Sequence, residues 1–319
     1  MKIVVLERNS VGPDISVDCF NELGEVTLYP NTTTVEEVIE RTKDADIVVA
    51  NKSPINELSL GGSKNVKLVC EFATGYDNCD LPYLRSRNIP VCNVVNYCTD
   101  MVAQHTFTLA LALSQSLPHY DDYVKSGEYS AQDRFSNFGV PFYELAGKTW
   151  GIVGMGNIGR KVASIAKAFG CNVIFHSVTG NSKVTEYERV SKEELLERSD
   201  FLSIHCPLSD LTRDFIDADA LRKMKNSAIL INVARGTIVN NPALYEALES
   251  GEIKAAGLDV LEKEPLQLSN PLSMIKDSNK LIITPHLAWG SVEARERCVQ
   301  GVYDNIKAFL DGNPVNVVN

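Results

Sequence analysis

Residues 150–159 read WGIVGMGNIG and residues 171–180 read CNVIFHSVTG. Each begins as an apolar strand, and the amphipathic stretch NIGRKVASIAKAFG joins them. Strand, glycine-rich turn, helix and strand together suit a dinucleotide phosphate site. Gly154 permits the tight turn, Gly156 lets the backbone approach a pyrophosphate, and Gly159 lets the helix pack close to the strand. The helix N-terminus, beginning near Asn157 and Ile158 after Met155, then offers free N–H groups and a positive dipole end. A GxGxxG alone is weak; this one has the required context. The acid that usually follows about 20 positions downstream, to grip the adenosine ribose, is missing. Ser177 stands there, with Thr179 and Asn181 close by, and no cation is nearer than Lys183. NAD is therefore the expected cofactor, slightly favoured, with NADP also admitted.

Outward from this stretch, β-branched apolar runs alternate with helical segments along the whole chain, the pattern of parallel sheets covered on both faces. With 319 residues and roughly 150 per domain, two domains are expected. Five runs precede residue 100: KIVVLE, EVTLYP, ADIVVAN, KLVCEFA and IPVCNVV. The texture then changes. MVAQHTFTLALALSQSL is apolar nearly all round and reads as a buried helix ended by Pro118, followed by a polar, aromatic loop to about Leu145. Six further strands, from KTWGIVG to KLIITP, complete a doubly wound domain. The last helix has Ser291 as N-cap and an apolar face of Val292, Cys298, Val299, Val302, Ile306 and Phe309. It has no strand partner and should pack on the first region. The expected fold is α/β: two doubly wound parallel sheets, over 1–99 plus 290–319 and over 100–289.

Composition narrows the function. The formal net charge is −10 and no basic run occurs, so a nucleic-acid footprint is missing. The N-terminal apolar run is too short for a signal-peptide core, and no stretch is long enough to span a bilayer. A cytoplasmic location is expected. The 8 cysteines are scattered, and neither they nor the 5 histidines show metal-ligand spacing. They read as reduced core thiols.

Ligands of open parallel sheets bind beyond the carboxyl ends of the strands. SAILINVARG ends on Arg235, AAGLDVLEKEP on Asp259 and Glu264, and LIITPHLAWG on His286. Singly these are more often a surface charge, a loop acid and a capping histidine. Together, in the domain with the phosphate loop, they suit carbonyl reduction. Arg235 offers a fork for a carboxylate or carbonyl, His286 passes a proton, and Glu264 fixes the imidazole tautomer. HCPLSD, at 205–210, places His205 and Cys206 at another strand end; a loop over the cofactor suits it better than a catalytic or metal pair. Thr74 and Gly75, after KLVCE, form a turn whose N–H groups suit a substrate carboxylate, or an ordinary turn. Tyr97, His105 and His119 read as structure or pocket lining.

ATGYDNCDL, GKTWGIVGMGNIGRKVA, INVARGTIVNNPALYEALESGEIKAAGLDVLEKEP and ITPHLAWGSVEAR together resemble the D-isomer-specific 2-hydroxyacid dehydrogenases over essentially the full length. Within that family the chain looks most like the glycerate dehydrogenase, or hydroxypyruvate reductase, group. The resemblance implies a flavodoxin-like substrate domain built from both chain ends and a Rossmann cofactor domain, with the cofactor in the cleft. It implies Arg235, Glu264 and His286 as the catalytic set, and Thr74 and Gly75 as the carboxylate turn. Asp259 would contact the nicotinamide amide. Thr106, Cys206, Pro207, Val233, Ala234 and Gly290 would join the glycine loop, Ser177, Thr179 and His286 around the cofactor. Trp289 would wall the substrate pocket. A homodimer is implied, held mainly by the cofactor domain and residues 100–145. Hydroxypyruvate or glyoxylate is the implied substrate. Trp289 keeps larger 2-keto acids, such as phenylpyruvate or 2-ketoisocaproate, as an alternative, and a non-enzymatic dinucleotide sensor is a further one.

Overall fold

The structure is a computed structural model that describes residues 1–319. The chain divides into two compact units, Met1–Cys98 with Trp289–Asn319, and Thr99–Ala288. No helix is long and apolar enough to cross a membrane.

In the first unit, strands β1 (Lys2–Val5), β2 (Glu25–Leu28), β3 (Ile47–Ala50), β4 (Leu68–Glu71) and β5 (Val91–Cys92) pair in parallel, in the order β2-β1-β3-β4-β5. That is the flavodoxin-like doubly wound order. Every residue of β3 and β4 is buried, as expected of central strands covered on both faces. Helices α1 (Val35–Thr42), α2 (Glu57–Leu60) and α3 (Leu81–Ser86) lie between the strands. A capping box starts α1: the Thr34 hydroxyl accepts from Glu37 N, and the Glu37 carboxylate accepts from Thr34 N. One polar residue interrupts the apolar run. Glu71, fully buried at the end of β4, accepts from Asn78 Nδ2 and Cys79 Sγ on Oε1, while Oε2 has no partner. Burial pushes its carboxyl up to about 8.

The second unit opens with α4 (Thr99–Ser114), which is the expected buried helix. It stops before Pro118. The chain turns at Ser116, in the left-handed region, and Pro118 lies in the first turn of a new helix, α5 (Leu117–Lys125), followed by α6 (Glu128–Ala131). A proline lacks an N–H that a first turn does not need, so here it opens a helix where a terminator was expected. The stretch read as loop is thus partly helical.

Strands β6 (Thr149–Val153), β7 (Asn172–His176), β8 (Glu188–Arg189), β9 (Phe201–Ile204), β10 (Ile229–Asn232), β11 (Ala255–Leu258) and β12 (Leu281–Ile283) form one parallel sheet, β12-β11-β10-β9-β6-β7-β8. The seventh strand, β8, is polar and two residues long, so no apolar pattern revealed it. Helices α7 (Asn157–Ala168), α8 (Lys192–Arg198), α9 (Ala218–Lys223) and α10 (Asn241–Ser250) connect the strands. The core centres on fully buried Trp150, stacked on Phe107 at 4.5 Å and Phe201 at 5.1 Å, with its indole N–H donating to Ser203 Oγ.

Helix α11 (Val292–Leu310) returns to the first unit and packs on β4. Ser291 caps it by accepting from Ala294 N, and Cys298, Val299, Val302 and Ile306 are buried. Val292, expected on that face, is 47% exposed in the first turn. The tail does find a strand: Val317 bridges antiparallel to Cys92, and the Asn319 side chain accepts from Val91 N and donates to Ile89 O. All eight cysteines are free.

Candidate active site

The glycine turn follows β6. Gly154 has φ +91°, and a Cβ there would stand 2.8 Å from Cys206 N. Only glycine fits that conformation and approach. A Cβ on Gly159 would press on Gly154 O, which lets α7 lie against the turn. Gly156 is different: a Cβ there would meet nothing within 4 Å. Met155 is buried and Ile158 packs on the core, so the turn presents backbone. Gly156 stands at the N-cap of helix α7 and gives it no side-chain cap. Open space beside an uncapped helix start is a cradle for a phosphate group, and the residues present fit a dinucleotide.

At the end of β7, Ser177 O accepts from Gly180 N, closing a turn, and Ser177 Oγ accepts from Ser182 N. Thr179 Oγ1 accepts from Asn181 N. After β9, burial pushes the Cys206 thiol up to about 12 and the His205 imidazole down to about 3. Both are neutral near pH 7, so no thiolate–imidazolium pair forms. Pro207 is exposed. Thr106 is fully buried in α4 and gives its hydroxyl hydrogen to Val102 O.

Three loops at the carboxyl ends of β10, β11 and β12 carry the charged residues. After β10, buried Asn232 shapes the turn: its Oδ1 accepts from Ala234 N and its Nδ2 donates to Arg235 O. Val233 and Ala234 are half-buried, and Arg235 Nη1 donates to Ala234 O. Gly236 then passes against the next loop. A Cβ on it would overlap Leu261 C at 1.8 Å, so only glycine lets the Arg235 loop touch the loop that holds Glu264. After β11, Glu264 Oε1 accepts from Leu261 N and Oε2 lies 2.7 Å from His286 Nδ1.

His286 has φ +54°, a conformation a non-glycine residue adopts only when its surroundings impose it. The imposing group is Asp259, which is 1% exposed. Its Oδ1 accepts from Thr284 Oγ1 at 2.6 Å and Leu287 N at 2.9 Å, and its Oδ2 from Ala288 N at 2.8 Å. Its carbonyl takes His286 N at 2.8 Å. Asp259 thus holds the His286 turn from below. His105, on α4, adds a second support through Nε2, 2.9 Å from Thr284 Oγ1. Burial lowers the His105 pKa against the raising effect of Asp259, so it bonds as a neutral ring. Nothing in the sequence pointed to Thr284, and His105, expected as structure or pocket lining, has a structural partner 179 positions away along the chain.

In the first unit, Thr74 is exposed after β4, gives its hydroxyl to Val94 O and receives Asn93 Nδ2 on its carbonyl. Gly75 follows it, half-buried. The Trp289 ring stands edge-on to Tyr97 at 6.2 Å, and Gly290 O accepts from Arg295 Nε.

Residues 107–288 match the family model for the D-isomer specific 2-hydroxyacid dehydrogenase, NAD binding domain. The chain belongs to this family. It is an oxidoreductase with an NAD-binding domain. It is 37% identical to a hydroxypyruvate reductase of Blautia hydrogenotrophica over 100% of both chains. It is 38% identical to a glycerate dehydrogenase of Methylorubrum extorquens, covering 99% of this chain and 98% of that one. A solved acyclic imino acid reductase in complex with NADPH and D-Arg superposes over 100% of both chains with TM-score 0.90 and 30% identity.

Proposed function

We propose that the chain reduces small 2-keto acids, of the hydroxypyruvate and glyoxylate type, to D-2-hydroxy acids in the cytoplasm, as a homodimer. The observation that carries this is the 2.7 Å Glu264–His286 pair, on the rim that also bears Arg235 and the open glycine turn. The relatives named hydroxypyruvate reductase and glycerate dehydrogenase support the substrate class. The reduced nicotinamide, when bound, supplies the hydride. Arg235 holds the substrate carboxylate and polarises the carbonyl. His286, with Nδ1 on Glu264, delivers a proton from Nε2 to the carbonyl oxygen, and the Glu264 carboxylate stabilises the imidazolium before transfer. The family resemblance further assigns Thr74 and Gly75 to the substrate carboxylate and Trp289 to the substrate side chain. Dimerisation is supported by Phe135, Phe138, Phe142 and Tyr143, which are 50% to 90% exposed in a segment that a second copy would cover.

Initial rates with NADH and NADPH across hydroxypyruvate, glyoxylate, pyruvate and phenylpyruvate test the reading. The two small acids should give the highest kcat/KM. His286→Asn should lower kcat by about 10²–10⁴. Undiminished turnover in that variant would overturn the mechanism, and a preference for phenylpyruvate that Trp289→Ala alters would favour the larger substrates.

A further inference from the structure

The exposed guanidinium of Arg189 stands at the turn that follows β7. A Cβ built on Gly180 would lie 3.6 Å from Arg189 Nη2. The sequence hides this proximity, because Arg189 follows Ser177 by a whole loop. The sheet creates it: β8 pairs with β7 so that Arg189 sits opposite Phe175, two residues before Ser177. Neighbouring strand residues point to opposite faces. Glu188, the adjacent carboxylate, points away and is held by Arg198 with two contacts of 2.8 Å. No carboxylate of the chain takes up the Arg189 charge.

In a Rossmann domain the residue ending the second strand meets the adenosine ribose. An acid there bonds the 2′-hydroxyl, whereas a nearby Arg accommodates a 2′-phosphate. Here the acid is replaced by Ser177, the turn adds the Thr179 hydroxyl, and an unpaired Arg lies alongside. We infer that Arg189, with Ser177 and Thr179, forms a 2′-phosphate site that makes this chain prefer NADP(H) to NAD(H). This rests on the second unit being the cofactor domain of the proposed reductase, and it reverses the slight preference for NAD read from sequence. A guanidinium offers a fork to a phosphate and is charged at any working pH.

The test uses the whole chain. Calorimetric titration with 2′,5′-ADP and with 5′-AMP, at low ionic strength, should show the 2′-phosphate compound binding about tenfold tighter or more, one charge-assisted contact being worth roughly that factor. Arg189→Ala should remove most of the ratio and Arg189→Lys should restore part of it. In kinetics, the ratio of kcat/KM for NADPH over NADH should fall about tenfold in Arg189→Ala, through KM. Equal binding of the two compounds by the unaltered chain, or an unchanged ratio in Arg189→Ala, would overturn the inference. A chain that turned over no 2-keto acid would overturn the proposed function, while the binding ratio would still decide Arg189.

Discussion

Asp259 in the second unit and Glu71 in the first are both buried carboxylates at the carboxyl end of a parallel strand, and they are treated in opposite ways. Asp259, after β11, has donors on both oxygens, two of them backbone N–H groups of the turn that carries His286. Glu71, ending β4, has two side-chain donors on one oxygen and nothing on the other. Backbone donors fixed by a fold compensate a buried charge; a thiol and an amide on one side do not. Asp259 accordingly serves as a positioning anchor. Glu71 is held as a neutral acid, with a pKa of about 8.

Removing the anchor should have the largest effect. Asp259→Ala orphans the N–H groups of Leu287 and Ala288 and leaves Thr284 Oγ1 with its His105 contact alone. Urea unfolding of the second unit should show a loss of about 2–6 kcal/mol, at roughly 1–3 per orphaned buried donor. Turnover should fall with it, because the His286 turn loses its support. A stable variant with full activity would break the comparison.

The second change should stabilise. A raised carboxyl contributes stability that is present below its ordinary range and lost as pH climbs through its folded value. The intact chain should therefore weaken between about pH 4.5 and 8 on account of Glu71. Glu71→Gln lacks that slope. It should be more stable than the unaltered chain at pH 8.5 by about 2–4 kcal/mol, and nearly equal to it at pH 4. Thermal unfolding at the two pH values checks this, and a gain independent of pH would refute it. Smallest is Cys79→Ala, which deletes one weak donor to Glu71 and should cost about 1 kcal/mol in the same assay.

Much of the frame was legible in the sequence because it rests on local patterns. Apolar runs marked eleven of the twelve strands that the structure contains. The glycine turn announced itself by spacing, and Arg235, Glu264 and His286 were singled out by lying just past strands. What escaped depends on pairing between distant residues. His105 meets Thr284 across 179 positions, and nothing local to either shows it. Strand β8 is too short and polar to show a period, so Arg189 appeared remote from Ser177. Pro118 was misread because the same residue can close one helix or open another, and only the turn at Ser116 decides which.

The return of α11 and the tail to the first unit has a consequence for synthesis. Asn319 completes hydrogen bonds to Ile89 and Val91, some 230 positions earlier. At about 5–20 residues per second, the N-terminal segment of that unit, Met1–Cys98, waits roughly 10–50 s on the ribosome for its last helix, while the second unit emerges whole and is free to fold first. During that interval the face of β4 that α11 will cover is bare, so a nascent chain stalled before residue 289 should be the form most dependent on chaperones.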